Sequence, residues 1–567
     1  MSPHLPQVAQ VAQIGIVVIG YDDAAHVADA VRSALAQGPV VGEVVAVDDC
    51  STDGSAELLA RLATSEPRLT VIRRPANSGG CGTPRNTGLD AVTSPYVMFL
   101  DSDDVLPPGA AQALLTAAAE EGAQVASGLC VRRELPSGRE TPWEAPLYAT
   151  RAVVEHPVLL PRLVRDRLCV GKLYRTGFLR EHGIRFPDGR FRYEDIVFAA
   201  RVLAAGPRIV LVPDRVYVWH VRRSAERLSI SLDRAGIDDW RARTRACRLA
   251  HETLLGAGQK EVARAARDKF LDHELRMYVR ELGLRDAHYR RAWWAHTRAY
   301  LAEYDAGDWA RDPGAPGRLV GRVVLASPEP RDLPRLRELA SRPARLRPPY
   351  ARAARGPGHS DTGGGTPVWS ADLPGVTLEA LLTRPVDALP LAVDAALRPR
   401  ARGTRLRLRL HELYGRLSEA GPESVDVEWR RREDGRTRAC RTAVLVPTTA
   451  GAAWTARADV DLADLAALGA GTWDLYLRVR FRDGASREVT AHAYAGPGLL
   501  RRRALPSARH AVLLVQPYAT HSGALALRLA PGVRGVGAVV RGRLRRLIHR
   551  VRMRDHGHRG SGTPRGH

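Results

Sequence analysis

The sequence predicts an α/β domain, then a helical extension, then a β-sandwich. Three observations carry this. Short apolar runs alternate with helical stretches over residues 14–125. Residues 236–340 are dense in Arg and Ala and carry scattered aromatics such as Trp240, Tyr278, Trp293 and Trp294. Beyond a Pro-, Gly-, Ser- and Arg-rich stretch at 341–366, apolar residues recur at every second position. Strand–helix alternation argues for a parallel sheet covered on both faces, and a period of two argues for half-buried strands. The length of 567 residues fits several domains. The expected bounds are 1–235 for the α/β domain, 236–340 for the helices, 341–370 for a linker, 371–505 for the sandwich and 506–567 for short strands and a basic tail.

Taken in order, Ile14–Ile19 is an apolar run of strand length, and His26–Ala36 places Val27, Ala30, Val31 and Ala34 on one helical face. Strands follow at Glu43–Val47, Leu69–Ile72 and Tyr96–Leu100, with helices at Ser55–Ala63 and Arg85–Ala91 between them. In the C-terminal part Leu406, Leu408 and Leu410 alternate with Arg405, Arg407 and Arg409. Trp473, Leu475, Leu477, Val479 and Phe481 alternate likewise, ahead of the turn Asp483-Gly484. A further strand pair is expected at 511–530.

Ligands of open α/β sheets sit beyond the carboxyl ends of the strands, so the residues after each strand matter most. Here they are Gly20-Tyr21-Asp22, then Asp48-Asp49-Cys50-Ser51-Thr52-Asp53-Gly54, then Asn77 to Asn86, then Asp101-Ser102-Asp103-Asp104. Clustered aspartates can hold a divalent cation, and the cation a diphosphate. Arg85 and the Gly-rich turn before it supply donors suited to phosphate or nucleotide oxygens. Each element has a plain alternative, a turn at Asp53-Gly54 or a helix start after Asp101–Asp104. Four polar loops at one sheet edge are more specific than any one of them.

These segments resemble the inverting family 2 glycosyltransferases, which have the GT-A fold. The resemblance rests on Ile16–Tyr21, Val47–Gly54, Asn77–Asn86 and Phe99–Asp104, and continues through Gly171–Arg175, Gly183–Pro187, Tyr193-Glu194-Asp195 and Ser229–Ser231. It spans residues 14–232. The first loop departs from the family's usual Pro-x-Tyr-Asn, and Cys81 stands where Gly or Ala is usual. The resemblance implies a role for each matched residue. Tyr21 would stack on uracil and Asp49 would accept its N3–H. Asn77 and Arg85 would contact the base and nearby oxygens, while Asp101 and Ser102 would hold the ribose or sugar. Asp103 would bind Mn²⁺ or Mg²⁺, with His220 as a further metal ligand. Arg223, Arg227 and Ser229 would meet the pyrophosphate. Asp195 would be the general base and Glu194 would orient the acceptor. Lys172 would be structural or face the acceptor. Glu194 and Asp195 also suit the first turn of a helix, where acids favour the dipole.

The order of domains resembles bacterial enzymes that decorate wall teichoic acid and oligomerise through a β-rich C-terminal region. This implies a UDP-sugar donor, N-acetylglucosamine for instance, and a polymeric, polyanionic acceptor. It also implies a homo-oligomer. The alternatives are an uncharged capsular or lipid-linked acceptor, or a silent polymer-binding protein.

Lys+Arg total 85 against 62 Asp+Glu, for a net charge of +23. Only three of the bases are lysine, which points to genome composition for part of the excess. Residues 541–567 carry nine Arg and one Asp, and Val540, Leu544, Leu547 and Val551 fall at helical spacing. A basic amphipathic helix suits an anionic membrane surface or a polyanion. A nucleic-acid role rests on charge alone and is not expected. Six cysteines without a CxxC pair exclude a disulfide scaffold and a zinc ribbon. The expected location is cytoplasmic, peripheral to the inner face of the membrane.

Overall fold

The computed structural model describes residues 13–135, 137–222, 234–353, 365–401, 403–449, 451–494 and 502–532. Two compact units divide the chain. The first comprises residues 1–271 and 295–311, the second 272–294 and 312–567.

The first unit opens with strands β1 (Ile14–Gly20), β2 (Val41–Asp48), β3 (Leu69–Arg73) and β4 (Tyr96–Asp101). Between them run α1 (Val27–Leu35), α2 (Ser55–Ala63) and α3 (Gly82–Ala91). After α4 (Ala110–Glu121) come β5 (Val125–Leu135), β6 (Arg139–Pro142), β7 (Ala152–Val154), β8 (Lys172–Arg175), α5 (Thr176–Glu181), α6 (Glu194–Ala204) and β9 (Ile209–Arg222). The sheet order is β3-β2-β1-β4-β8-β5-β9-β7, with β6 on the edge of β5. The first four strands are mutually parallel, as the alternation predicts. The sheet as a whole is mixed, because β8, beyond the stretch of regular alternation, runs antiparallel to both β4 and β5. A four-residue strand is too short to declare its direction through a hydrophobic period.

Ile16, Val17 and Val18 of β1 and Val97–Leu100 of β4 are almost fully buried, as strands covered on both faces must be. Close packing of α3 on this sheet needs glycine. A Cβ on Gly88 would stand 2.3 Å from Val17 Cγ1, and one on Gly82 would stand 2.1 Å from the Pro187 carbonyl oxygen. The first approach seats α3 on β1, and the second sets Arg85 against the segment that leads into α6.

The helical stretch after β9 is not one body. α7 (Ile237–Gly256) begins within the first unit, where Trp240 Nε1 donates to Thr297 Oγ1 at 2.9 Å and Phe270 packs on Tyr300 at 4.7 Å between ring centroids. Trp294 belongs to the second unit and donates to the Ser327 carbonyl at 2.9 Å. Buried aromatics on both sides of Ala295 explain why no boundary at residue 236 or 340 divides the chain.

The second unit is β-rich. Before its sandwich lie β10 (Ala351–Arg352) and β11 (Pro367–Val368). One sheet contains β12 (Val393–Arg398), β13 (Thr404–His411), β16 (Val446–Pro447), β17 (Ala453–Val460) and β20 (His492–Ala493), in the order β16-β17-β13-β12-β20. The other contains β14 (Pro422–Arg431), β15 (Thr437–Val444), β18 (Gly471–Phe481), β19 (Ser486–Thr490), β21 (Arg503–Ser507), β22 (Ala511–Ala519) and β23 (Leu525–Pro531). Its order is β15-β14-β18-β23-β22-β21, with β19 on β18. Leu406, Leu408 and Leu410 on the first sheet and Val427, Trp429, Trp473 and Leu475 on the second are buried, as their alternation predicts.

Two expected boundaries move. The sandwich does not end at 505, because β21 spans that position and β23 pairs with β18 in the centre of its sheet. The described parts of 341–370 are not a loose linker. Arg345, Leu346 and Trp369 are fully buried, and β10 pairs with β11. The reason is a buried ion pair, Arg345 Nε to Glu338 Oε2 at 2.6 Å, in a stretch whose composition reads as solvated. The basic tail at 541–567 lies outside the described residues.

Candidate active site

Parallel strands deliver four loops to one edge, after β1, β2, β3 and β4. Tyr21, just past β1, keeps 38% of its surface exposed. The next residue, Asp22, has φ of 48°. Its Oδ1 accepts from the Thr52 backbone N–H at 2.8 Å, and its own N–H donates to Ser51 Oγ at 2.9 Å. The first and second loops are therefore pinned together.

Asp49 is buried beneath them. Its Oδ2 accepts from Ser78 Oγ at 2.8 Å, Ser78 N–H at 3.0 Å and Asn77 Nδ2 at 3.1 Å. Its Oδ1 makes no hydrogen bond among the described residues and lies 3.3 Å from Arg74 Nε. Asn77 also donates to the Asp49 carbonyl and accepts from the Gly79 N–H. The structure thus spends the Asn77 amide on shaping the loop, where a direct base contact was expected. Ser102 is likewise engaged, donating from Oγ to Asp23 Oδ2 at 2.8 Å.

Arg85 departs most from expectation. It is 2% exposed and binds three carboxylates instead of facing a base. Its Nη2 donates to Asp101 Oδ1 at 2.7 Å, and its Nη1 donates to Glu194 Oε1 at 2.7 Å and to Asp195 Oδ1 at 3.0 Å. Burial opposes the charge, yet Asp101, Cys169, Asp195 and Glu194 hold the guanidinium well above its usual range. Burial and the adjacent Asp195 push Glu194 up to about 7, against the pull of Arg85.

The approach of Glu194 and Asp195 to Arg85 has local causes. Asn86, next to Arg85 on α3, donates to the Phe186 carbonyl and to Asp188 Oδ1, both at 3.0 Å, and accepts from the Phe186 N–H. Tyr193 caps α6 with φ of 65°, a conformation that a bulky residue adopts only when its surroundings hold it there. Its hydroxyl donates to Asp239 Oδ1 on α7 at 2.6 Å, Arg192 pairs with the same oxygen at 3.1 Å, and Arg243 lies 3.9 Å over its ring. Glu194 and Asp195 occupy the first turn of α6, as their acidity suits. Cys169 is buried here too, and burial pushes its thiol well up.

The fourth loop is a run of acids on a buried scaffold. Tyr217 Oη on β9 accepts from the Asp101 N–H at 3.2 Å and donates to Asp104 Oδ2 at 2.7 Å. The His220 N–H donates to Asp104 Oδ1 at 2.7 Å, and His220 Nδ1 donates to the Asp103 carbonyl at 3.0 Å. Burial, then Asp101, push Asp103 up to about 6, while Arg222 Nη1 pairs with it at 2.8 Å. Burial holds His220 below the usual imidazole value, so its neutral form is favoured. Among the described residues no group of three or more His, Cys, Asp or Glu stands ready to hold a metal. Arg223, Arg227 and Ser229 lie outside the described residues. Lys172 pairs with buried Asp166 at 2.8 Å, in a cluster with Tyr148 and Trp143.

Sequence reasoning missed Asp23, Cys169, Arg222, Tyr217 and Asp239. Asp23 and Arg222 each adjoin a residue already singled out. The others lie far along the chain from the groups they hold, and no local pattern marks them.

Among the described residues no helix is long and apolar enough to cross a membrane. The profile of a family described as "Glycosyl transferase family 2" matches residues 15–183, which contain all four loops. The chain is 32% identical to the succinoglycan biosynthesis protein ExoO of Rhizobium meliloti over 239 residues, 41% of this chain and 67% of the relative. It is 30% identical over 187 residues to the poly(ribitol-phosphate) beta-N-acetylglucosaminyltransferase TarS of Staphylococcus aureus, 33% of this chain and 31% of that one. The match thus spans about a third of that relative's length. The crystal structure of S. aureus TarS superposes with a TM-score of 0.50 at 18% identity, covering 92% of this chain and 85% of that one, a likeness of fold. The edge loops, the profile that spans them and the extent of the likeness to ExoO agree: the chain belongs to glycosyl transferase family 2 and is a glycosyltransferase.

Proposed function

We propose that this protein transfers a sugar from a UDP-sugar to a hydroxyl of a polyol-phosphate polymer of the cell wall, with inversion at the sugar carbon. The observation that carries the reading is the Arg85 cluster. One guanidinium gathers Asp101 from the end of β4 with Glu194 and Asp195 from the start of α6. A carboxylate held at the sheet edge that receives nucleotides can deprotonate an acceptor from the face opposite the leaving group.

In this mechanism Tyr21 stacks on the base and Asp49 Oδ1, which makes no hydrogen bond among the described residues, accepts its N3–H. Asp101 faces the sugar. Asp195 takes the proton of the acceptor hydroxyl as its oxygen bonds to the sugar carbon and the bond to UDP breaks. Glu194 orients the acceptor, and Arg85 fixes both carboxylates in place. The segment containing Arg223, Arg227 and Ser229 meets the pyrophosphate. Of the acids at 101–104, Asp103 keeps a partly exposed carboxylate beside the His220 ring, whose Nδ1 is spent on the Asp103 carbonyl and whose Nε2 is left to face a cation. Asp103 and His220 would hold Mn²⁺ or Mg²⁺, which neutralises charge on the leaving diphosphate when bound.

The acceptor class is supported by the relatives, several of which are named as poly(ribitol-phosphate) glycosyltransferases that move N-acetylglucosamine or glucose. A second reading, an exopolysaccharide acceptor, is favoured by the likeness to ExoO. The reading also includes a homo-oligomer at the inner face of the membrane. The test is a donor screen on the full chain with Mn²⁺, reading UDP release and transfer to polyol-phosphate and uncharged polymers. One UDP-sugar should be turned over. Absence of turnover and of UDP binding would overturn the reading.

A further inference from the structure

The outward face of the sheet β16-β17-β13-β12-β20 is built of arginine. Residues 404, 406, 408 and 410 of β13 point inward, so Arg405, Arg407 and Arg409 point out and are exposed. Register places their neighbours on the same face. Arg405 lies between Arg398 and Asp459, Arg407 between Ala396 and Arg457, and Arg409 between Asp394 and Thr455.

Five guanidiniums thus share a three-strand surface about 10 Å wide. Carboxylates do not balance them. Asp459 lies 3.6 Å from Arg405, in the only ion pair that any of the five makes among the described residues. Asp394, directly opposite Arg409, is already taken, with Oδ1 on Arg347 at 3.1 Å and Oδ2 on His411 at 2.8 Å. Arg407 and Arg457 face each other across the antiparallel pair, both exposed, with Ala396 on the other side of Arg407. Like charges directly opposite on a sheet are destabilising. Nothing in the packing calls for them, since both side chains leave the core.

We propose that this face docks a linear phosphodiester polymer, and that the polymer is the acceptor. The proposal rests on the polyol-phosphate reading above and assigns it a second contact surface. Guanidiniums spaced about 5 Å across the strands and about 7 Å along them can pair with successive phosphates. The residues between them are Ala396 and Thr455, and no aromatic ring stands on the three central strands of this face for bases to stack on, which disfavours nucleic acid. The arginines described at the catalytic edge, Arg85 and Arg222, are already paired with carboxylates, so a basic surface elsewhere supplies attraction for a polyanion. Docking raises the local concentration of acceptor hydroxyls without any new catalytic contact.

The test compares wild type with the Arg407→Ser, Arg457→Ser double variant of the full chain, with thermal melts as a folding check. Calorimetric titration with a polyol-phosphate polymer should show binding about tenfold weaker in the variant, with a logarithmic salt slope shallower by about 2. In wild type KM should be lower for a long acceptor than for a two-unit one, and in the variant that advantage should shrink. Unchanged affinity and salt slope in a folded variant would overturn the proposal. So would equal binding of an uncharged polysaccharide, or a preference for RNA or anionic lipid vesicles. UDP release from UDP-sugars, read on the same wild-type protein, separates the two claims. Turnover with indifferent polymer binding sinks the docking surface alone. Arginine-dependent polymer binding without turnover sinks the transferase reading, and the acceptor role with it, and leaves the docking surface standing.

Discussion

The edge of the α/β unit and the outer face of the sandwich use charge in opposite ways. At the edge, three carboxylates converge on one buried arginine, and each partner is fixed by a short hydrogen bond. On the sandwich face, one of five exposed arginines, Arg405, has a carboxylate partner, at 3.6 Å. The first arrangement is preorganised: its charges are paired, partly desolvated and held by the start of α6 and the buried Tyr217. The second is open, its charges solvated and, Arg405 apart, without an ion pair among the described residues. Preorganisation suits chemistry on a defined atom, whereas open like charges suit a mobile, repetitive anion.

The largest effect is expected at Arg85. Replacing it by Leu leaves Asp101, Glu194 and Asp195 facing one another without a cation. We expect a loss of about 3–5 kcal/mol in unfolding free energy, measured by urea denaturation. A loss below about 1 kcal/mol would mean that solvent already screens the cluster.

A medium effect concerns pH. Glu194 is raised from 4.5 to about 7, so between those values the folded chain binds more protons than the unfolded chain. Its contribution to stability therefore falls as pH rises through that window and is level above it. Thermal melts at about pH 5 and about pH 8 should show the fall in wild type and a smaller one in Glu194→Gln. An identical fall in both proteins would assign it to other groups.

The smallest effect lies on the sandwich. Arg407→Ser alone should change stability by no more than about 0.5 kcal/mol, towards higher stability, because it removes one of two opposed like charges. A marked destabilisation would show that Arg407 has a structural partner.

Much of this architecture was legible in the sequence. The apolar runs of β1 to β4 identify strands covered on both faces, and their order places Asp49, Asp101 and Asp103 at one edge. The period-two pattern of β13 and β18 identifies the sandwich. What local pattern could not show is pairing at long range. Arg85 meets Glu194 and Asp195 across more than a hundred residues, which turns an expected ligand contact into a structural hub. Tyr193 depends on Asp239 of a helix outside the matched family segment. Arg345 and its surroundings have the composition of a solvated linker, and only the partner Glu338 reveals why they are buried. The arginine face was visible as an alternation, but its meaning required the register that sets Arg407 against Arg457.

In the proposed reaction Asp195 takes the proton from the acceptor, and this role carries the chemistry. It is tested most directly by transfer kinetics of Asp195→Asn beside UDP binding measured by calorimetry. Transfer should fall by about 10²–10⁴-fold while UDP affinity stays within a few-fold of wild type. Transfer at the wild-type rate would contradict the assignment of the base.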